Sequence, residues 1–148
     1  MTRHLFPLMV LCVSFLPAAM AADGPTVRAS HVWIREAAPG VDVMAGYFVL
    51  ENLTDQSLAL TQVGSPDFGA VMMHQSVLKD GQESMLEVAQ IVIPAHGSIE
   101  FKPGGYHLML MQPKKNLYSG DMVTLMLTFS DRSGLTIMAN VRRDPPAH

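Results

Sequence analysis

The chain has 148 residues, enough for one domain and too few for two. It has ten basic and thirteen acidic side chains, a formal net charge of −3, and its Lys and Arg are scattered. That distribution excludes a nucleic-acid footprint. A single cysteine excludes an internal disulfide framework, and because Cys12 lies in the N-terminal apolar run, a thiolate metal site is excluded once that run is removed.

The first segment reads as an export signal. Arg3 and His4 give a short basic start, Leu5 to Leu16 is an apolar run, and Ala19-Met20-Ala21 supplies a small-x-small cleavage pattern. The run is about a dozen residues, short of the roughly 20 that span a bilayer. Cleavage is expected after Ala21, which assigns 1–21 to the signal, 22–141 to the domain and 142–148 to a short flexible tail. The mature chain has no expected membrane span. Cys12 follows Leu11, not a small residue, and is not read as a lipid-attachment cysteine. Cleavage leaves 127 residues, no cysteine, nine methionines and a net charge of −4. Part of that methionine content is expected to fill core gaps. Thioethers also suit an exported protein that handles a soft metal, because thiols oxidise outside the cytosol.

The mature sequence reads as short strands separated by turns. In chain order they are Val27–Arg35, Met44–Leu50, Ser57–Val63, Ala70–Leu78, Met85–Ala89, Gln90–Ile93, Ser98–Lys102, Tyr106–Met111, Met122–Phe129 and Leu135–Val141. Turn signals stand between them: Ala37-Ala38-Pro39-Gly40, Gly64-Ser65-Pro66-Asp67, Lys79-Asp80-Gly81-Gln82, Pro94-Ala95-His96-Gly97, Pro103-Gly104-Gly105 and Asp131-Arg132-Ser133-Gly134. Many short strands at regular spacing predict an all-β sandwich or Greek-key barrel. No segment has a long helical period.

Four residues carry the functional signal: His74, Met85, His107 and Met109, in the pattern His-x10-Met-x21-His-x-Met. Two imidazoles and two thioethers are a soft, uncharged donor set that favours copper(I). His107 and Met109 are two apart, so on a strand they face the same way. Taken singly, each has a structural explanation. The face His107, Met109 and Met111 opposes the core face Tyr106, Leu108 and Leu110, and a second buried face explains it equally well. His74 alone reads as a satisfied strand histidine. Together the four say more. The turn at Lys79–Gln82 folds the Met85 strand back on the His74 strand as a hairpin, and the strand after Pro103-Gly104-Gly105 adds two more donors. A site at the mouth of a barrel could load and release an ion. Met72 and Met111 are possible neighbours in passing the ion along, although core packing is the favoured reading of both. His31 is expected to be structural, His96 solvated and His148 disordered.

These residues resemble the periplasmic copper chaperone (PCuAC) family over nearly the whole mature chain. The resemblance lies in Val27-x-Ala29-x-x-x-Trp33-x-Arg35, in Ala45-Gly46-Tyr47-Phe48-Val49-Leu50-Glu51-Asn52 and in Lys102 to Met111. It continues in Leu117-x-x-Gly120-Asp121-x-Val123-x-Leu125-x-Leu127-x-Phe129 and in the four-residue pattern. It implies a cupredoxin-like β-barrel, copper(I) binding and assistance to the binuclear copper centre of cytochrome c oxidase. The implied recipient is a copper-receiving protein, cytochrome c oxidase subunit II or another periplasmic copper chaperone. Some relatives carry a His- and Met-rich tail that holds a second copper as copper(II). Here the tail from Arg142 onward has one candidate donor, His148, so the resemblance stops short of that site.

The donor set predicts a carrier that is not an enzyme. Imidazoles must be neutral to bind a metal, so affinity should fall below about pH 6.5, where a free imidazole protonates. Two rivals stay open: a metal-free adhesion or assembly module of immunoglobulin-like shape, and a copper-dependent redox enzyme. Two thioethers disfavour the oxidised ion that the enzyme needs. A blue-copper electron carrier would require a cysteine that the mature chain lacks.

Overall fold

The computed structural model describes residues 24–146. The export signal read at 1–21, Cys12 within it and the terminal His148 lie outside the described residues. Every described element is a strand: β1 (Val27–Arg35), β2 (Val43–Asn52), β3 (Leu58–Gly64), β4 (Phe68–Lys79), β5 (Gln82–Glu87), β6 (Ile91–Ile93), β7 (Ser98–Phe101), β8 (Tyr106–Pro113), β9 (Met122–Phe129) and β10 (Gly134–Arg142). The expected ten strands are present, within a few residues of their expected ends. No described helix is long and apolar enough to cross a membrane.

All ten join one sheet in the order β5-β4-β8-β7-β2-β1-β10-β9-β3-β6, with β2 also pairing β8. The first and last strands pair in parallel, Trp33 to Asn140 through Arg35 to Arg142. The sheet wraps round one apolar cluster that draws Phe48 and Leu50 from β2, Leu60 from β3, Leu108 and Leu110 from β8, and Leu125 and Leu127 from β9. Phe48 and Phe101 pack against each other within it, ring centroids 4.3 Å apart and planes tilted by 30°. This is the expected single-domain all-β fold, compatible with a cupredoxin-like barrel.

Local chemistry explains the register. Asp80 (φ 52°) and Gly81 (φ 77°) are both left-handed, the conformation a two-residue type I′ hairpin turn requires. The ladder therefore closes directly on Lys79 and Gln82, and β5 starts three residues before the expected Met85. Lys102 to Gly105 forms a type II turn, with Pro103 second, Gly104 at φ 78° third, and Gly105 N donating to Lys102 O at 3.0 Å. At the end of β2, Asn52 is fully buried and acts as a clamp. Its Nδ2 donates to Gln56 O, Ile93 O and Pro94 O, and its Oδ1 accepts from Thr54 N and Thr54 Oγ1.

A bulge in β1 redirects the end of that strand. The β1–β2 register shifts between Ser30 and Trp33, and His31 sits there at φ 52°. One extra residue reverses the alternation of a strand. Trp33 consequently faces away from the core and packs on Tyr47, with centroids 4.8 Å apart. Arg35 lies over the same indole at 5.8 Å. His96, expected in solvent, is exposed in its turn with Nε2 2.6 Å from Asp55 Oδ1.

Candidate metal centre

The pairing of β4 with β8 sets His74 directly opposite His107 and Met72 directly opposite Met109. The pairing of β5 with β4 sets Met85 opposite Ser76, two residues from His74. Paired residues share a face, as do residues two apart on a strand. His74, Met85, His107 and Met109 therefore point to the same side of the β5-β4-β8 end of the sheet. The opposite side carries Met73, Leu108 and Leu110 into the core. The donors thus stand on the outward face, near the β5 edge, where the sequence alone suggested a barrel mouth. The hairpin brings its two donors to the two on β8 as the sequence suggested.

The two imidazoles stack, with centroids 6.0 Å apart and planes inclined by 20°. His107 is 5% exposed and His74 is half-buried. His107 Nδ1 lies 3.1 Å from Gly105 O, the carbonyl that ends the type II turn. A carbonyl only accepts, so Nδ1 carries the proton and Nε2 keeps its lone pair. A backbone carbonyl that fixes a histidine tautomer in this way is the common support of a metal-ligating imidazole. His107 Nε2 is buried without a hydrogen-bond partner, and so is His74 Nδ1. An unpaired buried polar atom costs about 1–3 kcal/mol, so two of them on facing rings call for an explanation. A shared metal ion supplies one.

A cavity of about 250 Å³ opens beside His107. Met85, Met109 and Ser76 line it, with Ala45 and Tyr47 from β2, the Pro103-Gly104 turn, and Glu83 as its charged lining residue. His74 is not among the lining residues. Burial pushes the Tyr47 phenol above its ordinary value of 10.0, and the Arg35 charge offsets part of the rise. Among the described residues no three His, Cys, Asp or Glu side chains come together in a metal-binding group. The side chains that stand beside the histidine pair on this face include the Met85 and Met109 thioethers, a donor set that suits a soft cation.

The methionines correct one sequence expectation. Only Met44 and Met73 of the nine lie in the core. Met72 is 37% exposed and Met85 58%, while Met109 and Met111 are half-buried. Core packing does not explain Met72 or Met111. For Met111 the core face of the strand was visible in the sequence and only the burial of the opposite face was not; for Met72 the strand parity was visible, but which parity faced the core was not. Tyr47 was missed because β2 reaches the cavity through its pairing with β8, which joins distant parts of the chain. Glu83 was missed although it sits in the legible hairpin, two residues from Met85 on the same face.

Comparison with known proteins agrees with this fold. The chain is 31% identical over 103 residues to protein RP573 of Rickettsia prowazekii (strain Madrid E), an alignment that covers 69% of this chain and 57% of that one. The match thus spans little more than half of that relative's length. Among solved structures, the copper-bound PCuAC domain from PmoF2 superposes with a TM-score of 0.68 at 24% identity, covering 81% of this chain and 95% of that one. The solution structure of CuI-DR1885 from Deinococcus radiodurans superposes with a TM-score of 0.64 at 27% identity, covering 85% of this chain and 83% of that one. The LpqE-like family model ("Putative lipoprotein LpqE-like") matches residues 27–141, almost the whole span from β1 to β10. The chain belongs to the LpqE-like family and has the fold of the PCuAC copper-chaperone domains.

Proposed function

We propose that the protein is an exported copper(I) carrier that holds its cargo with His74, Met85, His107 and Met109. One observation supports this most strongly: two facing imidazoles each bury an unpaired nitrogen, with thioethers on the same outward face. Neutral ligands leave the bound ion its own single charge. Thioethers are weaker donors than thiolates, so the ion is held yet exchangeable. Carriage without catalysis is the consequence, because the thioethers disfavour copper(II) and a redox cycle needs it. The copper(I) form of the Deinococcus radiodurans relative supports the choice of ion and oxidation state. The lipoprotein description of the family and the apolar N-terminal segment support export, with the periplasm as the compartment. The recipient is a copper-receiving protein, for which the binuclear site of cytochrome c oxidase or another periplasmic chaperone fits the cargo.

The test is an anaerobic copper(I) titration against a competing chelator, beside a Met85→Leu/Met109→Leu variant. One tight equivalent in the native chain, lost in the folded variant, is expected. No binding by the native chain would refute the carrier and leave a metal-free binding module as the reading.

A further inference from the structure

A second group of soft donors adjoins the histidine pair. Met72 faces Met109 across β4 and β8, and Ala70 faces Met111 one step further along. Met111 is two residues from Met109, so the three thioethers share the outward face. Directly opposite side chains stand about 4.5–5.5 Å apart at Cβ, and diagonal ones about 7–8 Å. Successive same-face positions on one strand are about 6.7 Å apart. Three flexible methionine side chains rooted on so small a triangle can bring their sulfurs to one ion. Ala70 and Ala45, the register partners of Met111 and Met109 on either side, are small and leave room above the sheet.

We propose that Met72, Met109 and Met111 form an all-thioether copper(I) station that shares Met109 with the histidine site. The inference rests on the carrier reading. It explains why an aliphatic position between core-facing Val71 and Met73 is a methionine exposed to 37% of its surface. Along β4 and β8 the donors make a track: Met85 beside Ser76, then His74 with His107, then Met72 with Met109, then Met111. The ion moves along it by ligand exchange. Met109 stays bound while the imidazoles leave and Met72 and Met111 arrive. The ion stays copper(I) throughout and no proton is transferred, because every ligand is neutral before and after. Exposed Met72 then presents the ion to an acceptor while the buried imidazoles are released.

Two experiments test the station. The first is ε-¹³C-methyl methionine NMR of the native chain titrated anaerobically with copper(I). The Met72 and Met111 methyls should shift together with those of Met85 and Met109. Met122, Met126 and Met138, exposed on β9 and β10, should stay in place. The second is a chelator titration of a His74→Ala/His107→Ala variant that retains the native far-UV spectrum. It should keep a weaker copper(I) equivalent that Met72→Leu/Met111→Leu then removes. If Met85 and Met109 move but Met72 and Met111 do not, the station is refuted and the carrier survives. If all exposed methionines move alike, the binding is non-specific and the station is again refuted. If no methyl moves, both readings fall.

Discussion

Replacing His107 by phenylalanine sets stability against function in a way that the geometry makes quantitative. In the apo protein His107 Nε2 is buried without a partner. Removing that atom recovers about 1–3 kcal/mol of desolvation cost. The substitution also deletes the bond from Nδ1 to Gly105 O, worth about 0.5–1.5 kcal/mol net. The carbonyl is not orphaned, because Ser76 N donates to it at 3.0 Å. The larger ring has somewhere to go, since the cavity of about 250 Å³ adjoins it. The balance is a gain of about 1 kcal/mol, roughly 3–5 °C in Tm for a domain of this size. Copper reverses the ranking. At a free copper(I) concentration one hundred times Kd, the native chain gains about 2.7 kcal/mol by linkage, and the variant gains little. Anaerobic differential scanning fluorimetry with and without copper(I) reads both effects. An apo variant that melts several degrees below the native chain would show that the imidazole is a satisfied structural residue. A variant that keeps the full copper-induced shift would remove His107 from the ligand set.

Met85→Leu should leave the apo melting temperature nearly unchanged, since the side chain is 58% exposed, yet weaken copper(I) binding at least about tenfold, or ~1.4 kcal/mol, in the chelator titration. Asn52→Leu should destabilise the fold by roughly 2–4 kcal/mol in urea unfolding, because a fully buried amide loses five hydrogen bonds, although Gln56 O keeps Thr54 Oγ1 and Pro94 O keeps Gly97 N. A loss under about 1 kcal/mol would mean that the clamp is redundant. Tyr47 binds its proton more tightly in the folded than in the unfolded chain. Its contribution is therefore complete below about pH 10 and is lost as the pH rises from there towards the raised native value. Tyr47→Phe should flatten that alkaline decline in urea midpoints measured between about pH 9 and 11, and an unchanged slope would count against the burial effect.

The ten strands were legible because each boundary carries local chemistry: the left-handed pair Asp80-Gly81, the Pro103-Gly104 turn, the Pro94-to-Gly97 turn. Those signals act within single turns and need no knowledge of the rest of the chain. The His74–Met85 hairpin was legible for the same reason. The sheet order was not, because the pairings of β8 with β4 and of β8 with β2 close long loops and depend on the whole core. Without that order, no local signal placed His74 beside His107; only the donor pattern and the family resemblance grouped them. The β1 bulge was equally hidden. It rests on His31, a residue without the special backbone freedom of glycine, held at φ 52°. The exposure of Met72 followed from alternation only once Met73 was known to be the core residue.

The β1 bulge also links the two halves of the site. Without the extra residue, the outward positions at the end of β1 would turn towards the core, and Trp33 would not reach Tyr47. Tyr47 is the shared wall: it packs against Trp33 on one side and lines the His107 cavity on the other. An outward sheet face is ordinarily wet, and wet imidazoles would find water for their second nitrogens. Tyr47 and the Pro103-Gly104 turn instead wall the cavity beside His107, which is 5% exposed, while Met85, on the β5 edge, stays open. The burial of His107 Nε2 goes with that wall, and the accessibility of Met85 with the edge. The proposed carrier would use both properties in one site, a desolvated donor pair that gains by binding the ion and an exposed thioether at which the ion could arrive or leave.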